Sequence, residues 1–528
     1  MVGANGTMKK NKPAYQGPRK PKLKTARVPK LKPNRQRLLS CGRNTQERDD
    51  LIQDLKNEFQ FREEIDSRAE ELKEQLLSKN SSLPFNEIIY LNTGNPQALG
   101  QPAITFNREV LALCDLQSLL EQSETRRLFS ADAIARSRQV VQSIPGGATG
   151  AYSHSQGLRF CREEIAIGIE NRDGYPSSAG DIFLTDGATP GVHMALQVIS
   201  NSEKDGILVP IPAYPLYPTA IVVHGGSLVP YYLDEDLSWG LNISHLKKQL
   251  TKARSRGTQV RALVVINPGN PTGQVLEEQN QEQIVQFCRD ENIILLADEV
   301  YQENIYCTSK EFHSFKKVSR RMGFTGDDFS LISFHSASKG CYGECGRRGG
   351  YMEVTGLPKE VKDQLRKLAS VNLCSNISGQ IMMSIIMNPP KQGDEAYERN
   401  WKEKNDIRES LARRAKKFSE AMSELQGVTC HEIEGAMYAF PRLEFPIGAL
   451  MEADEARMPP DVFYARRLLE ATGILVHPGS GYGQVPGTYH IKCTILPQEA
   501  QLDEVIKKFS KFHQEFMDQY RTSRDSPV

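Results

Sequence analysis

The stretch S-F-H-S-A-S-K-G-C-Y-G-E-C-G-R-R-G-G-Y, Ser333 to Tyr351, carries a single lysine, Lys339, behind three small residues. The preceding residues 329–334, F-S-L-I-S-F, have the apolar pattern of a short buried strand, so Lys339 follows a strand end. In open α/β sheets, ligands bind at the carboxyl ends of the strands. A lysine that is buried near cations loses its proton easily and then attacks carbonyl groups. Taken alone, the stretch also suits a surface lysine in a glycine-rich loop, so both interpretations stay open.

Four other stretches place polar or aromatic residues directly after an apolar strand. They are residues 183–190 (F-L-T-D-G-A-T-P), 212–215 (P-A-Y-P), 264–273 (V-V-I-N-P-G-N-P-T-G) and 293–301 (I-I-L-L-A-D-E-V-Y). The first of them leads into a helix N-terminus, whose free N–H groups bind anions. Short apolar strands alternate with helical patterns and are predicted at residues 182–184, 207–209, 228–231, 263–266, 293–296 and 331–334. This alternation indicates βαβ units and a largely parallel sheet that is covered on both faces.

Together, and in this order, the five stretches resemble the pyridoxal-phosphate-dependent aminotransferases of fold type I, class I/II. The resemblance is to the alanine aminotransferases among them, through L-N-T-G-N-P-Q at 91–97, Y-S-H-S-Q-G at 152–157, A-S-K-G-C-Y-G-E-C-G-R-R-G-G-Y at 337–351 and Y-H-I-K-C-T-I-L-P at 489–497. It runs from about Leu91 to the C-terminus. The resemblance implies an α/β fold with a mainly parallel seven-stranded sheet in a large domain and a smaller α+β domain.

The same resemblance implies a cofactor, pyridoxal 5′-phosphate, and a role for each polar residue at the strand exits. Lys339 is the expected catalytic residue, linked to the cofactor aldehyde and later acting as a general base. Asp298, rather than its neighbour Glu299, is expected to face the pyridine nitrogen and keep it protonated. The other expected cofactor contacts are Asn270 and Tyr301 at the phenolic oxygen, Tyr214 on the ring face, Ala188, Thr189, Ser336 and Arg348 at the phosphate, and Tyr152 from a neighbouring subunit.

The expected substrate-binding residues are Gly94, Asn95 and Lys492, and the last departs from the family pattern. Lys492 stands in Y-H-I-K-C-T where the family carries an arginine that grips the substrate carboxylate. Lysine keeps the charge but loses the planar, two-pronged contact, so the replacement is not conservative. Three explanations stay open: lysine suffices at reduced affinity, another arginine moves in, or this protein is weakened or specialised.

The resemblance implies ping-pong transfer of the amino group of L-alanine to 2-oxoglutarate, which gives pyruvate and L-glutamate. Glutamate:glyoxylate transfer, lyase or decarboxylase chemistry on the same cofactor, and a non-catalytic scaffold are the alternatives. The expected partners are small amino and 2-oxo acids and, through Tyr152, a second copy of the chain. No metal site is expected, because no Cys/His spacing suggests zinc. Neither a nucleic acid nor a membrane partner is expected, and no apolar run approaches the roughly 20 residues of a membrane span.

The charge of the chain is divided very unevenly along its length. Residues 1–43 contain thirteen Lys or Arg and no Asp or Glu, which leaves 53 basic and 65 acidic residues in the remainder. Residues 1–44 are predicted to be a disordered basic arm, because they have too few apolar residues to fold. A transit peptide and an arm that binds an anionic partner stay open, so the expected location is cytoplasmic with a mitochondrial alternative. Ten scattered cysteines without a C-x-x-C pair favour reduced thiols.

Three further segments are predicted after the arm. Residues 45–145 are expected to form an N-terminal helical extension that packs on the body and on the dimer partner. Residues 146–390 are expected to form the large cofactor-binding domain, and residues 391–528 the small C-terminal domain. The length of 528 residues supports this division, because it exceeds what a single hydrophobic core holds.

Overall fold

A computed structural model describes residues 45–78 and 82–521, with side chains from residue 60 onward. The predicted basic arm, residues 1–44, lies outside the described residues. The described chain from Gln53 onward belongs to one compact unit, so the predicted domain boundaries after residues 145 and 390 stay predictions. Within this part of the chain, no helix is long and apolar enough to cross a membrane.

The described residues form a regular alternation of helices and strands, and the bounds of these elements are as follows. The helices are α1 (Thr45–Leu76), α2 (Thr105–Asp115), α3 (Ala131–Ser143), α4 (Arg159–Asp173), α5 (Ala188–Ile199), α6 (Leu216–Val223), α7 (Ile243–Ser255), α8 (Glu278–Glu291), α9 (Phe315–Arg321), α10 (Lys359–Val371), α11 (Ile377–Met387), α12 (Tyr397–Ser423), α13 (Ile447–Glu455), α14 (Pro460–Thr472) and α15 (Glu499–Tyr520). The strands are β1 (Ile89–Tyr90), β2 (Ile182–Thr185), β3 (Asp205–Ile211), β4 (Ser227–Tyr232), β5 (Gln259–Ile266), β6 (Ile294–Asp298), β7 (Leu331–Ser336), β8 (Gly350–Thr355), β9 (Val428–Thr429), β10 (Tyr438–Ala439), β11 (Arg442–Leu443), β12 (Ile474–Leu475), β13 (His477–Pro478) and β14 (Ile491–Thr494).

The centre of the fold is a seven-stranded sheet in the order β2-β8-β7-β6-β5-β3-β4. Six of its strands run parallel, and β8 runs antiparallel between β2 and β7. The predicted α/β fold with a mainly parallel seven-stranded sheet is therefore confirmed, as are the six predicted strands, with bounds that differ by a few residues. Strand β8 is an addition to the prediction, because its sequence begins at a glycine and shows no long apolar run.

The sheet forms because its parallel strands are buried on both faces. Strands β2 and β7 have no exposed residue, and the apolar run of β5 from Ala262 to Ile266 is buried throughout. Parallel strands need crossover connections, which helices α5 to α9 provide along this part of the chain. The consequence is that the carboxyl ends of β2, β3, β5, β6 and β7 meet at one edge of the sheet.

The first and last parts of the chain meet in a separate set of short strands. Strand β1 pairs with β12, and β14 lies between β10 and β13. Helix α1 packs on this region through an apolar face that includes Ile65, Ala69 and Leu72, against Val462 of α14 and Leu475 of β12. Residues 60–95 are thereby held next to residues 474–494.

Candidate active site

Lys339 lies three residues beyond β7, at the carboxyl edge of the sheet. Its Nζ donates a hydrogen bond to the carbonyl oxygen of Gly94, 245 positions earlier in the chain. A Cβ atom at position 94 would stand 3.1 Å from this Nζ and would collide with the hydroxyl of Tyr438, so only glycine fits there. The loop after β1 therefore closes over the lysine.

The surroundings of Lys339 correct one expectation. Burial by itself lowers the pKa of the ammonium group, but the oxygen of Tyr438, the thiol of Cys345 and the oxygen of Tyr214 raise that pKa overall. The expectation that nearby cations make Lys339 lose its proton easily is thus wrong for the free side chain. The groups that raise this pKa are the phenols of Tyr438 and Tyr214 and the thiol of Cys345, which outweigh the effect of burial.

Asp298 is the last residue of β6 and is buried. One carboxylate oxygen accepts a hydrogen bond from the hydroxyl of Tyr217 at 2.8 Å, and the other accepts from the backbone N–H of Val300 at 3.4 Å. Burial raises the pKa of Asp298 to about 6, against the lowering effect of these two donors. Among the described residues, no cation contributes to the pKa of this carboxyl group. Such a group is poised to accept a cationic atom of a ligand.

Glu299 follows Asp298 and points away from it, as neighbouring residues of an extended chain do. Its Oε1 accepts a hydrogen bond from the backbone N–H of Phe315 at 2.8 Å. Burial raises the pKa of Glu299 to about 8, although the charge of Arg172 acts in the opposite direction. The two adjacent carboxyl groups therefore lie in different surroundings.

A chain of hydrogen bonds links the end of β5 to the neighbourhood of the lysine. The Nδ2 of Asn270 donates to the Tyr301 hydroxyl at 3.3 Å, and that hydroxyl lies 3.0 Å from the hydroxyl of Tyr438. The Oδ1 of Asn270 is buried and has no hydrogen-bond partner within the described chain. The three side chains come from residues up to 168 positions apart and present buried polar atoms to a common space.

The turn between β2 and α5 places a guanidinium group beside a helix N-terminus. Gly187, with a φ of 84°, precedes α5, and Ala188 and Thr189 begin the helix with N–H groups that lack intrahelical acceptors. The guanidinium group of Arg348 donates to the backbone oxygen of Asp186 at 2.9 Å. A Cβ atom on Gly187 would collide with that guanidinium group. The cation and the helix N-terminus thus lie side by side.

One serine and two tyrosines complete the predicted set of cofactor contacts. Ser336 is buried at the end of β7, where its Oγ accepts from the backbone N–H of Ser338 at 3.4 Å. Tyr214 is 40% exposed, and its pKa is raised by burial and lowered by the charge of Lys339, which marks the two as neighbours. Tyr152 is 72% exposed on this chain, a surface position.

Lys492 is buried on β14, opposite His477 of β13. Its Nζ donates to the backbone oxygen of Asn92 at 3.1 Å and lies 4.0 Å from the ring centroid of Tyr438. Burial, followed by the charges of Lys339 and Arg62, holds the pKa of Lys492 well below its usual value. The structure thus brings Lys492 and Gly94 to the same tyrosine as Lys339.

The structure differs from the sequence prediction at Asn95, which was placed in the site, and at Tyr438, which was not. Asn95 is exposed, unlike its buried neighbour Gly94. Tyr438 is absent from the predicted site, yet it adjoins both lysines. Its sequence context, G-A-M-Y-A-F-P, indicates only a buried strand, so no local signal identifies it.

Sequence reasoning also missed a group of hydrogen-bonded side chains next to Lys492. The Nδ2 of Asn92 donates to Oδ1 of Asp66 at 2.9 Å, and Nε2 of His477 lies 3.1 Å from the same oxygen. The other ring nitrogen of His477, Nδ1, is 2.9 Å from the hydroxyl of Tyr482. No pattern in the sequence identifies this group, because Asp66 and His477 are 411 residues apart and meet only in the folded chain.

Similarity to known proteins agrees with this geometry. The profile of the family "Aminotransferase class I and II" matches residues 125–509. The chain is 60% identical over 467 residues to alanine aminotransferase 2 of Panicum miliaceum, across 88% of this chain and 97% of the relative. It is 59% identical over 467 residues to alanine aminotransferase 2, mitochondrial, of Arabidopsis thaliana, across 88% and 86%. Glutamate–glyoxylate aminotransferase 1 of Arabidopsis thaliana is 48% identical over 474 residues, across 89% and 96%.

The fold also matches solved structures. Alanine aminotransferase from Pyrococcus furiosus superposes with a TM-score of 0.66 and 22% sequence identity, covering 86% of this chain and 96% of that chain. Enzymes of this family and fold depend in general on pyridoxal 5′-phosphate and act on small amino and 2-oxo acids. The matched profile, the relatives at about 60% identity and the fold together establish that the chain belongs to the aminotransferase class I and II family.

Proposed function

We propose that this protein transfers the amino group of L-alanine to 2-oxoglutarate, giving pyruvate and L-glutamate, in a ping-pong reaction. The observation that carries the proposal is the pair of lysines beside Tyr438, of which Lys492 is buried and Lys339 is half-buried. Lys339 follows the strand next to that of Asp298, and Lys492 stands 4.0 Å from the Tyr438 ring. One lysine is available for covalent chemistry and the other for a carboxylate, as amino-acid chemistry requires. The relatives at about 60% identity favour alanine as the donor.

Pyridoxal 5′-phosphate fits the polar groups that line this space. Asp298 is a buried carboxyl group whose pKa of about 6 would fall beside a protonated ring nitrogen, because an opposite charge favours the ionised form. The buried Oδ1 of Asn270, which lacks a partner among the described residues, lies where polar atoms of a ring could approach. The Nδ2 of Asn270 and the hydroxyl group of Tyr301 are the donors for a phenolic oxygen, and Tyr214 is the aromatic residue for the ring face.

The cofactor phosphate would be held at the turn before α5. Ala188 and Thr189 offer backbone N–H groups, Ser336 offers a hydroxyl group, and Arg348 offers a guanidinium group. Hydrogen bonds between charged groups and the favourable end of the helix dipole both stabilise a phosphate at such a position.

The residues of this chain would then act as follows. When bound, pyridoxal 5′-phosphate supplies an electron sink that stabilises negative charge on the substrate Cα. Lys339 would hold the cofactor through its Nζ, and the same Nζ, when free, would act as the general base that takes the proton from the substrate Cα. Asp298 keeps the ring nitrogen protonated, and Asn270 and Tyr301 donate hydrogen bonds to the phenolic oxygen. Lys492 holds the substrate carboxylate next to the reacting carbon.

We further propose that the active unit is a homodimer. Tyr152 is 72% exposed, an unusual environment for a large aromatic side chain. Its proposed role is to reach the cofactor phosphate of the neighbouring subunit.

The proposed location is cytoplasmic or mitochondrial. Relatives from Arabidopsis thaliana and Saccharomyces cerevisiae are named as mitochondrial proteins, which supports the organellar alternative. The thirteen basic and no acidic residues of positions 1–43 suit a transit peptide in charge, although the Pro- and Lys-rich composition is atypical of one.

Glutamate:glyoxylate transfer is the second candidate, and the relative at 48% identity supports it. Steady-state assays separate the two candidates. The purified protein is given alanine, glutamate or a control amino acid as donor, with 2-oxoglutarate or glyoxylate as acceptor. The proposal expects the highest kcat/KM for alanine with 2-oxoglutarate and no turnover without an acceptor. A preference for glutamate with glyoxylate would contradict it, and an absence of turnover would favour a scaffold.

A further inference from the structure

The group of hydrogen-bonded side chains next to Lys492 begins at Asp66 on helix α1. Oδ1 of Asp66 accepts a hydrogen bond from Nδ2 of Asn92 at 2.9 Å. Nε2 of His477 lies 3.1 Å from Oδ1 and 3.2 Å from Oδ2 of the same carboxylate. The backbone oxygen of Asn92 accepts from the Nζ of Lys492 at 3.1 Å, and His477 is the register partner of Lys492 in the β13–β14 pair. One carboxylate thus contacts two residues that adjoin the lysine.

The chemistry of the partners fixes the direction of the hydrogen bonds at His477. An ionised carboxylate only accepts hydrogen bonds, so the nitrogen that faces Asp66, Nε2, carries a proton. Burial lowers the pKa of His477 overall, although Asp66 acts in the opposite direction, so the ring is neutral and its other nitrogen accepts. That nitrogen, Nδ1, lies 2.9 Å from the hydroxyl of Tyr482, which therefore donates. Asp66 thereby sets the orientation of Tyr482 through His477.

Tyr482 is held at both of its ends. Its hydroxyl is bound to His477, and its backbone oxygen accepts from the N–H of Ala213, just beyond β3, at 2.9 Å. The Nζ of Lys492 lies 5.1 Å from the ring centroid of Tyr482 and 4.0 Å from that of Tyr438. Both distances are within the range of cation–π contacts, which is about 6 Å. The ammonium group therefore adjoins two aromatic rings, and Asp66 helps to fix one of them.

Several elements contribute titratable or charged groups around Lys492. Burial lowers its pKa most, and the charges of Lys339 and Arg62 lower it further. Asp66 is the carboxylate that acts in the opposite direction. The groups that face the lysine are, by element, Arg62 and Asp66 of α1, Lys339 beyond β7, Tyr438 of β10, His477 of β13, Tyr482 of the following turn and Cys493 of β14.

We propose that Asp66 is a positioning residue for the binding of the substrate carboxylate by Lys492. Its carboxylate orients Asn92 and, through His477, Tyr482 around the ammonium group, and its negative charge favours the protonated lysine. This inference rests on the proposed function, in which Lys492 holds the carboxylate next to the reacting carbon. A lysine presents a single nitrogen instead of the planar fork of an arginine, so the groups that orient this nitrogen matter more.

The test uses the full-length, cofactor-loaded protein and pyruvate. The KM for pyruvate is measured across a range of pH with glutamate as the amino donor, and its Kd by isothermal titration calorimetry, which needs no turnover. In Asp66→Asn we expect both constants to rise about 10-fold near neutral pH, because a charged hydrogen bond is lost. The kcat should stay within about 3-fold, because Lys339 and Asp298 are untouched.

The pH profile separates positioning from a merely structural role. Loss of the negative charge lowers the pKa of Lys492 further, so pyruvate binding in Asp66→Asn should weaken at a pH about one unit lower than in the wild type. Asp66→Glu keeps the charge and should restore the wild-type profile. Asp66→Ser, which also removes the charge, replaces Asp66→Asn if that variant fails to fold.

The matched control is Glu71→Gln, which removes a negative charge from the same helix at a residue that pairs with Arg68. It should leave KM, Kd and the pH profile unchanged. Asp66→Asn with wild-type pyruvate binding, or with weaker binding whose pH profile does not move, would overturn the inference. A wild-type protein that binds pyruvate with the expected pH dependence but transfers no amino group would refute the proposed function alone. An active wild type with an unshifted Asp66→Asn profile would refute this inference alone.

Discussion

The candidate site has two walls that are built in different ways. The first wall lies at the carboxyl ends of β2, β3, β5, β6 and β7, where most of the functional residues end a strand or follow it within a few positions. The second wall is assembled from α1, the loop after β1 and strands β10, β13 and β14. Its hydrogen bonds join residues about 400 positions apart, such as Lys492 with Asn92. A sheet edge thus gathers groups by topology, whereas the second wall gathers them by packing.

This difference explains which site residues can be predicted from their neighbours in sequence and which cannot. Asp298 sits at a strand end by necessity, because the apolar run before it fills a buried strand. Asp66 sits on an ordinary charged helix, and only the packing of Ile65, Ala69 and Leu72 on the C-terminal region brings it to His477. The first wall is expected to carry the covalent chemistry and the second the choice of substrate. The following changes test that division.

The largest effect is expected from Lys339→Ala on the first wall. We predict that kcat for alanine and 2-oxoglutarate falls by about 10³-fold or more, because both the anchor and the general base are removed. The matched control is Lys359→Ala, which removes an exposed lysine that pairs with Asp363. Turnover by Lys339→Ala at the wild-type rate would show that the chemistry lies elsewhere.

The next effect is expected at Asp298. We predict that Asp298→Asn lowers kcat by about 10²- to 10³-fold, because a neutral amide cannot hold a cationic ring nitrogen. Tyr217→Phe removes one hydrogen bond to the same carboxyl group and should cost about 10-fold or less. Stopped-flow measurement of the alanine half-reaction gives both rates. A larger loss in Tyr217→Phe than in Asp298→Asn would reverse the proposed roles.

On the second wall, Lys492→Arg should improve substrate binding. A guanidinium group adds a second, parallel hydrogen bond to a carboxylate, worth about 1 kcal/mol or roughly a 5-fold lower KM for alanine and glutamate. The kcat should change little, because the first wall is untouched. Steady-state assays of the two substrates provide the values. An unchanged or higher KM would mean that Lys492 does not hold the carboxylate.

The pH dependence of substrate binding should distinguish lysine from arginine at position 492. Burial and the charges of Lys339 and Arg62 lower the pKa of Lys492, while Cys493 and Asp66 act in the opposite direction. Lys492 is charged below this lowered pKa and neutral above it, so carboxylate affinity should weaken as the pH rises through it. We expect the KM for pyruvate, which has no amino group, to rise with pH in the wild type. In Lys492→Arg it should stay flat, because arginine remains charged. Parallel profiles would contradict this prediction.

Sequence reasoning works well for the sheet. The apolar runs predict six of the seven strands, because a strand that is buried on both faces must be apolar along its whole length. It fails at Tyr438, Tyr217 and the Asp66–His477 pair. The neighbours of the two tyrosines in sequence explain their burial without any reference to a site, and Asp66 and His477 are 411 positions apart. It also misjudges the free Lys339, because the phenol oxygens that raise its pKa come from residues 214 and 438.

The central claim is that Lys339 holds the cofactor covalently. The most direct measurement is borohydride reduction of the purified protein with pyridoxal 5′-phosphate, followed by proteolysis and mass spectrometry of the modified peptides. The account predicts one pyridoxyl-phosphate label, on the peptide that contains Lys339, and the same label absent from Lys339→Ala. A label on Lys492 or on any other lysine, or no label at all, would contradict it.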